Sequence, residues 1–260
     1  MSKVTSRDGT SIAFERSGEG PVLVLVDGAM SYRSFGPMAA LAEVLTPHFT
    51  VYTYDRRGRG ESGDTAPYAV AREVEDLEAL IAEAGDSAYV CGLSSGAVLA
   101  LEAAASGLAI TKLALYEPPF TVEGGDLQHK KDYTERLEEL LSADRRGDAV
   151  EWFLTSAGMP AEAITGMRNE PVWPLFEAIA PTLAYDNAVL GDGTVSHGRA
   201  AKVTVPTLVA DGGASPDFFR RVAKATAAAI PGARYRTLEG QTWGRVAPES
   251  LALVLKEFLL

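Results

Sequence analysis

The 260-residue sequence has one cysteine, three histidines and no long apolar run. The single cysteine, Cys91, excludes an intramolecular disulfide and suits a reducing compartment. No stretch approaches the ~20 apolar residues that a membrane span needs. The start of the chain is polar and lacks the apolar core of a secretion signal. We therefore expect a cytoplasmic protein.

Positive charge is also scarce, since 24 Lys and Arg stand against 35 Asp and Glu and the net charge is −11. Nucleic acids and anionic membranes are bound through basic patches, so neither is expected as a partner. A glycine-rich phosphate loop and a metal-ligand cluster are lacking too, so we expect no cofactor and no metal ion. The length and the 47% hydrophobic content suffice for one domain with a large core. The oligomeric state stays open.

Short apolar runs alternate with amphipathic segments through most of the chain. Alternation at this spacing is typical of an α/β fold with a doubly wound, mostly parallel sheet, here preceded by a β-hairpin. The predicted strands are residues 3–5, 11–15, 21–26, 49–54, 112–116, 204–210 and 234–238, and the predicted helices are residues 35–45, 70–84, 95–105, 216–229 and 248–258.

The alternation stops between residues 120 and 200, where the sequence favours helices only, best at residues 132–142, 148–157 and 172–184. An insertion between two parallel strands lies over their carboxyl ends, where such sheets bind ligands. We therefore predict one structural unit. Its core consists of residues 1–119 and 201–260, and residues 120–200 form a helical lid.

The most informative segment is Gly-Leu-Ser-Ser-Gly at residues 92–96. An apolar, strand-like run precedes it and an Ala- and Leu-rich helix follows. In this context Gly-x-Ser-x-Gly is the pattern of a nucleophile elbow, a tight turn that presents a serine hydroxyl. Ser94 is therefore the predicted nucleophile, and a plain helix cap is the alternative.

Together, the order of elements, the elbow and the inserted helices resemble the α/β-hydrolase family over nearly the whole chain. Residues 26–30 lie where the family carries His-Gly-x, and residues 55–62 are similar to its Asp-x-Arg-Gly-x-Gly-x-Ser loop. The resemblance implies an α/β-hydrolase fold with a lid. It also implies an oxyanion hole formed by the backbone N–H groups of Ala29 and Ser95. Asp27 replaces the family's histidine.

The position of the acid is ambiguous. By the family's usual pattern it falls on Ser215, within residues 211–216, and serine does not stabilise an imidazolium. Some members place the acid after the preceding strand, and Glu117 stands there. We predict Glu117, with Asp211 as the alternative and a purely structural ion pair also open.

The base is missing from its expected position. The family's histidine aligns with Trp243, whose indole N–H is only a donor. His48 precedes a strand at the opposite end of the sheet, and only His129 or His197 could reach the site from the lid. We therefore expect hydrolysis to be impaired. Three explanations follow. The chain is a natural member of the family whose pocket serves another reaction or binds a ligand, a laboratory variant in which Trp replaced the histidine, or a purely structural scaffold.

Lid and loop residues suggest an apolar pocket for a small hydrophobic molecule. The expected substrate is an ester, thioester, lactone or related acyl compound. A non-hydrolytic enzyme (cyclisation, elimination) or a ligand-binding pseudo-hydrolase with the same pocket is the alternative. Taken singly, each of these side chains could belong to a helix core. The predicted substrate-binding residues are Gly28, Met30, Tyr32, Phe120, Trp152 and Trp173.

Overall fold

The computed structural model describes residues 2–120, 126–242 and 246–260. Within these residues eight strands form one sheet in the order β1-β2-β4-β3-β5-β6-β7-β8. The strands are β1 (Ser2–Thr5), β2 (Ser11–Ser17), β3 (Val22–Val26), β4 (Thr50–Tyr54), β5 (Ala88–Leu93), β6 (Ile110–Tyr116), β7 (Thr207–Gly212) and β8 (Arg234–Leu238).

Strands β3 to β8 pair in parallel, whereas β1 and β2 form an antiparallel hairpin at one edge. The α/β prediction is confirmed. The register aligns Val26 with Gly92 and Leu93 with Tyr116. The chain therefore leaves β3, β5 and β6 at the same edge of the sheet, and the loops that follow these strands meet there.

Helices cover both faces of the sheet. On one face Leu77 and Leu99 pack against the apolar side chains of the strands, and on the other Leu41 and Leu255 do the same. The central strands are therefore buried on both sides, which explains their continuous apolar runs. The helices of the core are α1 (Pro37–Leu45), α2 (Val70–Glu83), α3 (Ser95–Ala105), α10 (Asp217–Ala229) and α11 (Pro248–Leu259).

Between β6 and β7 the described residues form helices and no strand. Residues 172–184, predicted as one helix, are divided by a 3₁₀ turn, Ala180–Thr182, because Pro181 lacks the N–H group that a continuous helix needs. These helices have their own apolar cluster, which Met30 joins from the core. They are α4 (Asp126–Ser142), α5 (Arg146–Ser156), α6 (Ala161–Arg168), α7 (Trp173–Ile179), α8 (Leu183–Leu190) and α9 (His197–Ala200). That they act as a lid stays a prediction.

None of the helices in the described residues combines the length and apolar character required to span a bilayer.

Candidate active site

Ser94 is the one residue between β5 and α3, and its backbone is strained. Its φ of 54° and ψ of −124° are values that a residue with a side chain rarely adopts. A side chain at Gly92 would collide with the backbone of Gly96 and Ala97, and one at Gly96 would collide with the carbonyl oxygen of Val26. Only glycine fits both positions, so these residues allow the tight turn that holds the Ser94 hydroxyl beyond the strand.

The loop after β3 lies directly against Ser94. A Cβ atom added to Gly28 would be 3.1 Å from Ser94 Cβ and 3.7 Å from its Oγ. The Gly28 N–H donates to Asp27 Oδ1 at 2.8 Å, so it is already occupied. Ser95 is the first residue of α3, where the backbone N–H has no acceptor within the helix. Ala29 and Ser95 both line a cavity that contains Ser94.

Two buried arginines donate hydrogen bonds to the backbone of this loop. Arg59 Nη1 donates to the Gly28 carbonyl at 2.6 Å, and Arg56 Nη1 donates to the Asp27 carbonyl at 3.4 Å. Both arginines also bind Asp186 of α8, at 2.6 and 2.7 Å. Asp186 Oδ1 in turn accepts the Ser95 hydroxyl at 2.7 Å.

The charge on Asp186 is balanced within this cluster. Burial opposes its ionisation, but the positive charges of Arg59 and Arg56 hold the pKa of Asp186 below its usual value. Arg56 also forms a bidentate pair with Glu73, at 2.7 and 2.8 Å. No local pattern in the sequence indicates Asp186, because about 130 residues separate it from its arginine partners.

Glu117 follows β6 and is almost completely buried, at 2% exposure. Its Oε1 accepts hydrogen bonds from Gly212 N at 2.9 Å and from Ser215 Oγ at 2.5 Å. Burial and the nearby charge of Asp211 raise the pKa of Glu117, while the two hydrogen bonds oppose the rise. Ser215, at the family's usual acid position, thus contacts a carboxylate from the neighbouring strand.

Asp211, the alternative acid, faces another direction. Its carboxylate accepts the Tyr235 hydroxyl at 3.0 and 3.1 Å and is 3.9 Å from Arg220 Nε. Glu117 shares a cavity with Ser94, and Asp211 is not among the residues that line it. Of the two predicted carboxylates, Glu117 is thus the one that lines a cavity with Ser94, and its role as the acid stays a prediction.

Two cavities meet at Ser94, and both include Ala29 and Phe153 in their walls. We name each cavity after one residue in its wall: the Glu117 cavity has a volume of about 250 Å³ and the Lys130 cavity a volume of about 390 Å³. A separate groove of about 410 Å³ lies at the amino ends of β6, β7 and β8, far from Ser94. The other residues of the Glu117 cavity include Asp27, Gly28, Met30, Tyr116, Leu154, Phe176 and Val246, and those of the Lys130 cavity include Ser95, His129, Tyr133, Asp186, Asn187, Leu190, Pro216, Phe218 and Phe219.

Comparison with known proteins identifies the family. A sequence model described as the alpha/beta hydrolase family matches residues 22–249. The chain belongs to the α/β-hydrolase family. The chain shares 54% sequence identity with an α/β hydrolase from Sphaerobacter thermophilus, whose crystal structure matches with a TM-score of 0.90 over 100% of both chains. A hydrolase from Pseudomonas aeruginosa is 26% identical with a TM-score of 0.77, over 99% of this chain and 97% of that chain.

Among curated relatives, the chain is similar to the pimeloyl-(acyl-carrier protein) methyl ester esterase of Xanthomonas campestris, with 32% identity over 168 residues. That match covers 55% of this chain and 64% of the esterase. The chain therefore spans slightly less than two thirds of the length of this relative.

The predicted substrate-binding residues of this α/β hydrolase fall into two groups. Gly28 and Met30 line the Glu117 cavity. The other four are not among the described residues that line either cavity at Ser94: Tyr32 packs against Phe35, Phe120 joins the sheet core, Trp152 Nε1 donates to the Tyr133 carbonyl, and Trp173 Nε1 donates to Glu177.

The aromatic walls are supplied by neighbours of these residues. Phe153 follows Trp152 on α5, and Phe176 lies one turn after Trp173 on α7. Adjacent helix positions point about 100° apart, and positions three apart still differ by about 60°. The sequence could therefore place aromatic residues on the correct helices without showing which of them faces Ser94.

Trp243, the residue at the expected position of the base, lies outside the described residues. The three histidines are all described, and none hydrogen-bonds to Ser94 or Glu117. His48 contacts Lys256, His129 lines the Lys130 cavity, and His197 begins the short helix α9. The described residues also contain no group of three or more side chains placed to hold a metal ion.

Proposed function

We propose that this α/β hydrolase attacks small hydrophobic esters, thioesters or lactones through Ser94, with Ala29 and Ser95 as oxyanion donors. The observation that carries the proposal is the strained Ser94 at the junction of two cavities. A backbone conformation of this kind is kept where it positions a reacting group. The esterase-like relatives support an acyl substrate.

The proposed step is attack of Ser94 Oγ on the carbonyl carbon. The bond between Ser94 Oγ and the carbonyl carbon forms as the hydroxyl proton passes to solvent water, and the carbonyl oxygen takes up negative charge. The carbonyl group then re-forms as the C–O or C–S bond to the leaving group breaks, the departing alkoxide or thiolate takes a proton from water, and an acyl-enzyme remains; with a lactone the released hydroxyl group stays attached to the acyl chain. The two N–H groups would stabilise the oxyanion. Glu117 would hold a histidine in members that have one, and here its carboxylate lies in the Glu117 cavity without such a partner among the described residues.

We further propose that multiple turnover is impaired because Trp243 replaces the base. Loss of a triad base lowers the rate by about 10⁴ to 10⁶, while the oxyanion hole retains about 10³ to 10⁴ over water. Acylation by a substrate with a good leaving group needs the base less than hydrolysis of the acyl-enzyme does. We therefore expect the acyl-enzyme to accumulate.

The test uses p-nitrophenyl acetate. We expect a single burst of p-nitrophenolate and a mass increase of one acetyl group per chain, both lost in Ser94→Ala. Trp243→His should restore multiple turnover. Trp152→His is the matched control, since Trp152 lies outside both cavities. Rapid multiple turnover by the unaltered chain, lost in Ser94→Ala, would contradict the impaired-triad proposal.

A second candidate is a non-hydrolytic enzyme or a ligand-binding protein that uses the same cavities. The observation in its favour is that none of the three histidines, all of them described, hydrogen-bonds to Ser94 or Glu117. This candidate predicts binding or conversion of a hydrophobic small molecule that persists in Ser94→Ala. It also predicts that Trp243→His leaves esterase activity unchanged.

A further inference from the structure

Lys130 lies in the wall of the cavity that is named after it. This half-buried residue belongs to α4, and its aliphatic stem passes Gly193, where an added Cβ atom would be 3.3 Å from Lys130 Cγ. Its Nζ reaches α8 and donates to the carbonyl oxygen of Asn187 at 3.2 Å, and also to Asn187 Oδ1. The ammonium group is thus fixed in position beside the cavity.

This ammonium group has no ion-pair partner among the described residues. Burial lowers the pKa of Lys130 to about 8, and the charge of Asp192 opposes the decrease. The Asp192 carboxylate is itself engaged by the N–H and hydroxyl groups of Thr194, both at 2.8 Å. The next residue, Lys131, is exposed and pairs with Glu135 at 3.7 Å. Removing a charged group from water is costly unless it is paired, so an anionic ligand in the cavity would stabilise the half-buried ammonium group of Lys130.

The rest of the Lys130 cavity favours a ligand with an apolar body. Tyr133, Phe153, Leu190 and Phe218 contribute to its walls. Asp186 also faces the cavity, but Arg56 and Arg59 balance its charge. Lys130 is therefore the charged wall residue that has no ion pair among the described residues, although its Nζ lies 5.8 Å from the centre of the Tyr133 ring.

Lys130 and the reacting serine line the same cavity, whose volume is about 390 Å³. A single molecule bound in this cavity can therefore place its carbonyl group at Ser94 and a second polar group at Lys130.

We propose that the Lys130 cavity binds the carboxylate end of the substrate, so that the acyl compound attacked at Ser94 is a dicarboxylic hemiester or hemithioester. This assignment rests on the proposed function for its acyl chemistry. Lys130 is a specificity-determining residue in this scheme, and it takes no part in the bond changes at Ser94.

The test measures binding separately from hydrolysis. Affinities of monomethyl adipate, which is anionic, and dimethyl adipate, which is neutral, are measured by calorimetry on Ser94→Ala at pH 7. Added to this background, Lys130→Met should lower the affinity for monomethyl adipate about tenfold or more, as expected for loss of a charged hydrogen bond. The affinity for dimethyl adipate should change by less than about twofold, which also shows that the variant is folded. The matched control Lys131→Met should change neither affinity.

Two outcomes would overturn the assignment: no detectable binding of monomethyl adipate, or equal effects of Lys130→Met on both ligands. The acylation rates with mono-p-nitrophenyl adipate and its methyl-capped form separate the two proposals. Preferential, Lys130-dependent binding without acylation of Ser94 would reject the proposed function and keep the carboxylate site. Acylation of Ser94 without a Lys130-dependent preference for the anionic ester would keep the proposed function and reject the carboxylate site.

Discussion

Asp27 shows how one substitution alters the chemistry of the site. It occupies the position at which the family carries histidine, is 4% exposed, and lies in the Glu117 cavity. Its Oδ1 accepts from Gly28 N, whereas Oδ2 is buried and has no hydrogen-bond partner among the described residues. Burial therefore raises the pKa of Asp27 to about 7, against the effects of the Gly28 N–H and of Arg59.

Asp27→Asn should stabilise the protein, and more so as the pH rises. The pKa of Asp27 is near 7 in the folded chain and 3.8 in the unfolded chain. The folded state therefore binds more protons between these values, and its stability falls as the pH rises towards 7. The advantage of the variant in free energy of unfolding should grow by roughly 2 to 3 kcal/mol between pH 5 and pH 8. Urea denaturation of both proteins measures it, and a pH-independent difference would show that Asp27 is ionised in both states.

At the scale of elements, α8 is connected through Asp186 to the loop after β3 and to the start of α3. Its carboxylate binds Arg56 and Arg59, which hold the loop after β3, and it accepts the hydroxyl of Ser95. The inserted helices are thus joined to both halves of the proposed oxyanion hole. The position of the Ala29 and Ser95 N–H groups should therefore depend on α8.

Asp186→Asn should weaken both stability and acylation. The change leaves two buried guanidinium groups with less compensating charge, which costs about 3 kcal/mol or more in free energy of unfolding. Acylation by p-nitrophenyl acetate should slow by about tenfold, since oxyanion donors act only when correctly placed. Asp148→Asn is the control, because its pairs with Arg145 and Arg168 lie at the surface and contribute at most about 1 kcal/mol. Unchanged acylation in a folded Asp186→Asn protein would exclude the positioning role.

The elements that the sequence predicts best are those with a local signal. Alternating apolar runs predicted the central strands, and the spacing of Gly92 and Gly96 predicted the turn at Ser94, because both depend on neighbouring residues. Contacts between distant residues gave no such signal. Ser215 meets Glu117 across 98 residues, and Asp186 meets Arg56 across 130. Such pairs depend on how the strands and the inserted helices pack together, which no local pattern encodes.

At the scale of the whole molecule, the inserted helices and the core share buried contacts. Met30 of the core packs in the apolar cluster of the insertion, which includes Leu183 of α8. Asp186, on the same helix, is held by arginines of the core. Since these contacts are buried, neither part can unfold without exposing apolar surface and unpaired charge on the other.

The core and the insertion should therefore unfold in one transition. The chain has three tryptophans, and Trp152 and Trp173 both lie in the insertion. In Trp243→Phe, fluorescence reports only the inserted helices, whereas far-UV circular dichroism reports the whole chain. We expect the two urea midpoints to coincide, as a single cooperative unit requires. Asp186→Asn in the same background should shift both midpoints together. A fluorescence transition that precedes the dichroism transition would instead identify the insertion as a separate unit, able to detach from the core while the sheet stays folded.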